Sequence, residues 1–262
     1  MGHRLAAVYA HPDDDTFGVG GTLVLNPDVE YTLIVATSGD AGEIADPALA
    51  TPDNLAEVRE QEEWDSLAAL GLKDPQVHFL RYPDMKLSNV PRGDLVSKVA
   101  ELLVDSRPDV VVTFGPEGIT RHADHMTISG VTTEAFHLAR ESAEEGFQRL
   151  FYNAVSQSEL ELFWQFAREA GMELGNPDDP FMPRGVPDDT ITVRTDCSSV
   201  VDRKIAGIRA HRTQANEIQA FPEDVLRTFL SREYFVQAWP PSAEKPVATL
   251  ESMFEGLQPR SG

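Results

Sequence analysis

Short apolar runs rich in Val, Leu and Ile alternate with longer segments of helical period through the first half of the chain. This alternation is typical of β-α units, which build a mostly parallel sheet. The four clearest runs predict strands at about 4–10, 31–37, 76–80 and 109–114. Each run is followed by a segment that is polar or contains Gly or Pro, so each strand should end in a loop.

Helices are expected between these strands and beyond them. Residues 53–71 carry apolar side chains at helical spacing, start at a possible Asp cap and end at Gly71. Another helix should follow the first strand directly. The remaining expected elements are helices over 92–106, 124–140, 158–171, 199–212 and 222–230, and strands near 149–155 and 189–194.

A single domain over residues 1–262 accounts for these elements, since the length and the 41% of hydrophobic residues suffice for one large core. The expected fold is α/β, with a Rossmann-like, mostly parallel sheet and helices on both faces. We expect the core at about 4–215, a substrate-facing loop at the Pro/Asp-rich residues 175–189, and a tail at 240–262. Ligands of such sheets bind outside the carboxyl ends of the strands, so the chemistry should lie there.

Charge and composition narrow the choice of partners. The formal net charge is -21, which makes nucleic acid and anionic membrane surfaces unfavourable partners. Neither a leader peptide nor an apolar run of the roughly 18 residues of a membrane helix is visible. These features predict a cytoplasmic protein without a membrane span. The single cysteine, Cys197, cannot form an internal disulfide and is expected to fill space in the core.

The first candidate site follows the first predicted strand, in AHPDDDTFGVGGTL at 10–23. One imidazole and three carboxylates lie within five positions there, and a cation would stabilise carboxylates that otherwise repel one another. A catalytic zinc takes three His or carboxylate ligands and leaves one position for water. His11 and Asp14 suit two of these positions, whereas Asp13 can face the attacking water as a general base. The alternative is an acidic turn that caps a helix.

Three glycines follow this cluster, at Gly18, Gly20 and Gly21. They could form a phosphate-binding turn, but they fall inside the expected helix and do not complete G-x-G-x-x-G. Close packing of this helix against the sheet is the favoured interpretation.

The second candidate site follows the fourth predicted strand, in GPEGITRHADHMTI at 115–128. If a helix begins at Asp124, His125 lies in its first turn and His122 in the preceding loop. One of the two imidazoles can complete the metal site. The other, held by Asp124, can stay near the substrate carbonyl as an acid or oxyanion partner. The isolated His3, His78 and His137 are interpreted as structural or surface residues.

Together, AHPDD and HADH resemble the LmbE/PIG-L family of zinc-dependent de-N-acetylases, which carry AHPDDE and HPDH at these places. Four more segments are similar to family motifs, so the resemblance covers roughly residues 4–215. They are TSGDAGE at 37–43, REQEEWDSLAALG at 59–71, YPD at 82–84 and AHRTQ at 210–214.

The resemblance implies a role for each matching residue. It implies a Rossmann-like α/β fold, metal ligands at His11, Asp14 and His125, and a general base at Asp13. It further implies an acid or oxyanion-stabilising role for His122 with Asp124 behind it, and sugar-hydroxyl contacts from Arg59 and Asp84. Whether His211 reaches the active site is left open.

Three positions depart from the family pattern. Asp15 replaces the usual Glu, Ala123 replaces Pro, and Thr120 stands where some members have a tyrosine that polarises the carbonyl. Oxyanion stabilisation would then depend on the metal and a protonated His122.

The expected function is hydrolysis of an acetyl or acyl amide on an amino-sugar-type small molecule, with attack by a water that zinc activates. The cofactor is Zn²⁺ by expectation, although Fe²⁺ or another divalent ion suits the same ligands. One alternative is a zinc amidase for a larger acyl or thiol-conjugate amide. Another is a non-catalytic nucleotide- or sugar-binding module. A homo-oligomer is compatible with the sequence.

Overall fold

A mixed sheet of seven strands, in the order β3-β2-β1-β4-β5-β7-β6, forms the centre of the computed structural model. The structure describes residues 2–169, 171, 176–179, 182–214, 221–241 and 249–258. In these ranges the strands are β1 (Arg4–Tyr9), β2 (Glu30–Thr37), β3 (Gln76–Tyr82), β4 (Val110–Phe114), β5 (Arg149–Ala154), β6 (Val193–Asp196) and β7 (Arg232–Trp239).

Helices connect most of the strands. Four short 3-10 turns accompany them, at Leu87–Asn89, Asp188–Thr190, Ser198–Val200 and Arg212–Gln214. The α-helices in the described part of the chain are α1 (Asp14–Leu25), α2 (Leu55–Ala69), α3 (Arg92–Ser106), α4 (Gly118–Arg121), α5 (Ala123–Ser142), α6 (Gln157–Glu169), α7 (Val201–Ala210) and α8 (Glu223–Leu230).

The first five strands are parallel to one another, whereas β7 is antiparallel to β5 and β6. The predicted mostly parallel α/β sheet is therefore confirmed. β1 and β4 are buried along nearly their whole length, as central strands covered on both sides must be, and their unbroken apolar runs reflect this.

Two groups of helices cover the sheet. α1 and α2 pack with α7, and α3 packs with α5. Right-handed crossovers from β1 through β2 to β3 place α1 and α2 on one face, and the return to β4 places α3 on the other. The winding direction changes between β1 and β4, and the loops that leave these two strands diverge there. Both predicted site segments lie in this crevice.

Two of the three glycines of α1, Gly18 and Gly21, allow close packing of the helix. A Cβ at Gly18 would lie 2.4 Å from the Tyr9 hydroxyl, and one at Gly21 would lie 2.4 Å from Cys197 Sγ. The packing interpretation of this glycine cluster therefore agrees with the structure. Cys197 is itself fully buried.

The second half departs from the sequence prediction in three places. No strand was predicted at β7, which lies between β5 and β6 and joins them into the same sheet. β6 begins at Val193, because residues 188–190 form a 3-10 turn. The described part of the expected tail, 249–258, is not exposed throughout, since Met253 and Phe254 are buried in the core. The connector residues 242–248 lie outside the described residues.

Within the described ranges, no helix combines the length and apolar character needed to cross a membrane.

Candidate metal centre

The two predicted segments meet at the carboxyl ends of β1 and β4. His11 is the second residue after the end of β1, Asp14 is the first residue of α1, and His125 lies in the first turn of α5. His11 Nδ1 is 3.2 Å from His125 Nε2. One Asp14 oxygen lies 3.5 Å from His11 Nδ1, and its other oxygen lies 3.5 Å from His125 Nε2. Two imidazoles and a carboxylate thus converge from loops that are 111 to 114 positions apart in sequence.

The opposite nitrogen of each imidazole has a hydrogen-bond acceptor. His11 Nε2 is 3.0 Å from Asp84 Oδ1, and His125 Nδ1 is 3.0 Å from the Gly118 carbonyl oxygen. Because carboxylate and carbonyl oxygens only accept, these two nitrogens carry the protons. The nitrogens that face each other are then both lone-pair atoms. Oriented imidazoles of this kind are typical of metal ligands.

The spacing fits a tetrahedral cation. Ligand atoms bound at about 2.0–2.1 Å in tetrahedral geometry are separated by about 3.3–3.4 Å, close to the 3.2 Å between His11 Nδ1 and His125 Nε2. The Asp14 carboxylate approaches each nitrogen to 3.5 Å with a different oxygen. Without a cation or an added proton, two lone pairs at 3.2 Å would repel each other. The residues present therefore fit a divalent metal ion.

The electrostatics favour the ligand forms of His125 and Asp14 and a positive charge at His11. Burial, with the neighbouring His11 and His122, lowers the pKa of His125 to about 4, so its ring is neutral at pH 7. Burial opposes ionisation of Asp14, but His125 and His11 outweigh it and lower the pKa of this carboxyl to about 2. For His11, burial disfavours the charged ring, yet the carboxylates of Asp124, Asp14 and Asp84 raise its pKa well above 6.5. A positive charge is thus stabilised between these side chains.

Among the described residues, two groups of three side chains have one potential ligand atom each within 4.8 Å of one another, and both include His11. They are His11, His122 and His125, and His11, Asp84 and Asp124. The second group lies on the Nε2 side of His11, and all three of its residues are at most 9% exposed. Its carboxylates accept N–H bonds from Ala41, Met85 and Leu87, as Asp14 does from the His11 backbone at 2.8 Å. The Nδ1 side is distinguished by the cavity that Asp14 and His125 line.

Asp13 lies beside the candidate ligands in a strained conformation. Its φ of 103° falls in a region that residues other than Gly rarely adopt. Its N–H donates to Glu63 Oε2 at 2.9 Å, and Arg59 donates to its Oδ2 at 3.1 Å. Burial raises the pKa of the Asp13 carboxyl to about 7, against the opposing charge of Arg59. A carboxylate of that pKa is suited to accept a proton near neutral pH.

His122 is the N-cap of α5. Its Nδ1 accepts the Asp124 backbone N–H at 3.2 Å, so in the neutral ring Nε2 carries the proton. Burial and the nearby His11 lower the pKa of His122. This favours a neutral His122 ring that donates through Nε2, in place of the protonated ring predicted from the sequence. The Asp124 carboxylate accepts from the backbone N–H groups of Met85 and Leu87 at 2.7 and 3.1 Å.

Arg59 and Asp84, the expected sugar ligands, are 4% and 5% exposed. The Arg59 guanidinium donates to the carbonyls of Gly39 and Pro12 as well as to Asp13. Asp84 contacts the His11 ring, and these contacts hold its pKa well below the usual range although burial opposes this. Their described contacts are all with the protein itself, and the substrate-binding role stays a prediction.

Sequence reasoning did not identify Glu63 or Phe114 as parts of the site. Glu63 is fully buried and reaches Asp13 from α2. The Phe114 ring stacks on His125 with centroids 4.0 Å apart. Glu63 lies four positions after Arg59, so helical spacing placed it on the same face of α2.

His211, whose place in the site the sequence left open, is 1% exposed, and burial and Arg59 lower its pKa to about 3.

Comparisons with known proteins identify the family of this chain. The pattern of the PIG-L family, described as GlcNAc-PI de-N-acetylase, matches residues 6–136, half of the chain. A 1D-myo-inositol 2-acetamido-2-deoxy-alpha-D-glucopyranoside deacetylase from Kineococcus radiotolerans is 31% identical over 249 residues, covering 80% of this chain and 68% of the relative. The protein of the same name from Salinispora arenicola is 31% identical, covering 99% and 93%. This chain belongs to the PIG-L family, whose chemistry is hydrolytic.

Solved structures show the same fold. N,N'-diacetylchitobiose deacetylase from Pyrococcus horikoshii superposes with a TM-score of 0.59 at 23% identity, covering 90% of this chain and 83% of that one. At this identity the likeness establishes the fold and leaves the chemistry to the site itself.

Proposed function

We propose that this protein is a metal-dependent hydrolase that removes the acetyl group from the amide nitrogen of an amino-sugar substrate. The observation that carries the proposal is the convergence of His11 Nδ1, His125 Nε2 and the Asp14 carboxylate within 3.2–3.5 Å, with Asp13 beside them. Membership of a deacetylase family and two relatives named as deacetylases of an acetamido sugar support it.

In this proposal His11, Asp14 and His125 hold the metal. Zinc is the proposed ion, and Fe²⁺ suits the same two imidazoles and carboxylate. When bound, the cation supplies Lewis-acid polarisation of the amide carbonyl and makes a neighbouring water more acidic. Asp84 and the Gly118 carbonyl orient the two rings, which would leave His11 Nδ1 and His125 Nε2 to hold the ion.

Asp13 is the proposed general base. Its carboxylate lies in the cavity wall next to Asp14, and its pKa of about 7 lets it accept the proton of the attacking water and return that proton to the leaving nitrogen. The buried Arg59 and Glu63 hold it in place from α2. Arg59 in this proposal positions Asp13 instead of binding sugar hydroxyls.

His122 is the proposed partner of the developing oxyanion. Its Nε2–H is a hydrogen-bond donor in the neutral ring, and the ring centroid lies 4.8 Å from those of both His11 and His125. The Asp124 N–H fixes the tautomer. The Asp124 carboxylate, bonded to the backbone of the segment after β3, holds Met85 and Leu87 against the site.

The test is release of free amine from N-acetylglucosamine derivatives, including its inositol glycoside, by the purified full-length protein before and after chelation. Chelation should abolish turnover and added Zn²⁺ should restore it. Asp13→Asn should keep the metal and lose about 10²–10⁴-fold in kcat. The control is Asp28→Asn, which replaces an exposed carboxylate and should leave kcat unchanged. A metal-loaded protein that releases no amine, or an Asp13→Asn variant at normal turnover, would contradict the proposal. The cytoplasmic location, the absence of a nucleic-acid partner and the oligomeric state stay predictions.

A further inference from the structure

A cavity of about 390 Å³ leads away from the candidate metal centre. Asp13, Asp14 and His125 line it at the metal end, and residues of α6, α8 and β7 line it beyond. Its volume falls in the range of about 300–1,000 Å³ that small-molecule sites occupy. The methyl group of an acetamide would fill only a small part of it.

The walls away from the metal are mainly apolar. Phe163 lies at the centre of an aromatic group, with its ring centroid 5.4 Å from that of Phe221 and 4.8 Å from that of Phe229. Phe221 belongs to a second hydrophobic cluster, with Val225 and Leu226, that is separate from the core of the sheet, and the other two rings pack against this cluster. Leu160 lines the same cavity. Such a surface favours hydrocarbon over hydroxyl groups.

The charged side chains in the wall are already paired. Lys204 Nζ lies 2.7 Å from Glu233 Oε1, and Arg232 lies 2.6 Å from Glu159. Glu233 also accepts N–H bonds from Gly21 and Thr22 in α1. These internal pairs leave this part of the cavity without a net charge to attract an ionic group.

One polar side chain offers a further contact. Asn153, at 5% exposure, lines the cavity from β5, and its buried Oδ1 has no hydrogen-bond partner among the described residues. A buried polar atom without a partner gains stability when a ligand donates to it. A ligand that is mostly apolar and carries one donor would match the cavity.

We propose that this cavity binds an apolar group of the substrate, much larger than the methyl group of acetate, while the scissile amide lies at the metal. The proposal rests on the proposed function for the position of the amide. The same hydrocarbon chemistry can come from the acyl chain or from an apolar aglycone on the sugar, and the experiment separates these two sources.

Two substrate series distinguish the sources. One is glucosamine N-acylated with acetyl, butanoyl, hexanoyl or octanoyl groups, and the other is N-acetylglucosamine as its methyl, hexyl or phenyl glycoside. Each buried methylene is worth about fourfold in binding, so kcat/KM should rise at least tenfold along the series whose group enters the cavity. The other series should stay flat. A flat or falling response in both series would overturn the proposal.

A matched pair of variants on α6 tests the place of binding. Leu160→Trp fills the cavity and should remove the gain in kcat/KM for the longest group. Leu162→Trp is the control, because Leu162 is 59% exposed on the same helix and does not line the cavity. If both variants retain the chain-length preference, the apolar group binds elsewhere and the proposal is wrong.

Calorimetric binding of octyl β-D-glucoside, below its micelle concentration, provides a readout that is independent of turnover. The cavity proposal is supported if the wild type binds octyl glucoside and Leu160→Trp weakens this binding at least tenfold. Leu162→Trp should leave the affinity unchanged. If this binding is found and no amide is hydrolysed, the proposed function fails and the cavity assignment stands. If N-acetylglucosamine derivatives are hydrolysed and no octyl glucoside binds, the cavity assignment fails.

Discussion

Arg59 donates a hydrogen bond of 3.1 Å to Asp13 from a guanidinium that is itself buried. The same guanidinium reaches the carbonyls of Gly39 and Pro12, so one side chain of α2 connects the loops after β1 and β2. Gly39, at φ 66°, leaves the room that this approach requires, since a Cβ there would lie 2.1 Å from the guanidinium. Arg59 thereby holds Asp13 at a φ of 103° that the residue would not adopt alone.

Substitution of Arg59 separates positioning from substrate binding. Arg59→Lys keeps the charge but cannot reproduce a planar fork that reaches three acceptors. We expect kcat to fall at least tenfold with KM nearly unchanged, because Asp13 loses its orientation. Steady-state kinetics on one acetamido sugar measures both constants. A large rise in KM at normal kcat would support the sugar-binding role that the sequence predicted.

Asp84 should act through His11. Asp84→Asn retains the size of the side chain but removes the negative charge that orients and polarises the ring. Loss of such a partner costs about 10–100-fold in metal affinity, which competition with a chromogenic chelator measures. Asp46→Asn is the control, because Asp46 is exposed and the described hydrogen bond of its carboxylate is with the Ala48 N–H. Equal affinities in the two variants would show that Asp84 does not support the metal ligand.

Two neighbouring glycines of α1 should respond differently to alanine. At Gly20 the nearest atoms to a new Cβ are 3.6 Å away, whereas at Gly21 they are Cys197 Sγ at 2.4 Å and its Cβ at 2.8 Å. Gly20→Ala should leave the free energy of unfolding unchanged or raise it by up to about 1 kcal/mol through helix propensity. Gly21→Ala should lower it by about 1–3 kcal/mol through overpacking. Urea unfolding of both variants provides the comparison, and equal effects would contradict the close packing.

The buried thiol should make stability fall at alkaline pH. Burial and the nearby Glu233 carboxylate raise the pKa of Cys197, with Lys204 opposing. The unfolded thiol ionises near pH 8.5, so above that pH the unfolded chain loses a proton that the folded chain keeps. The protonated thiol's contribution to the free energy of unfolding is fully present below pH 8.5. Above that pH it is lost at about 1.4 kcal/mol per pH unit. Unfolding free energies of the wild type and Cys197→Ala from pH 8 to 10 should converge at that rate. Parallel curves would show that the thiol ionises normally in the folded state.

Much of the first half was predictable because its signals are local. β1, β2 and β4 are buried on both faces, so their apolar runs stand out from the sequence, and α3 has the predicted bounds at Arg92–Ser106. Both His/Asp segments directly follow strands. The topology of a parallel sheet then brings them to the same edge.

The second half was less predictable because its structure depends on contacts distant in sequence. β7 includes Glu233, a charged residue that is buried only because Lys204 and the backbone of α1 bond to it. The sequence signal for this strand was the run Tyr234–Phe235–Val236, with two prolines after three more residues. The link between Asp84 and His11 joins residues 73 positions apart, and no local pattern encodes it.

The position of the metal relative to His11 tests the central claim most directly. Crystals of the full-length protein grown with Zn²⁺ and measured at the zinc absorption edge should give one anomalous peak per chain. We expect it about 2.0–2.1 Å from His11 Nδ1 and His125 Nε2 and within bonding distance of Asp14. A peak on the opposite side of the ring, between His11 Nε2, Asp84 and Asp124, would contradict the account, as would the absence of zinc from this crevice.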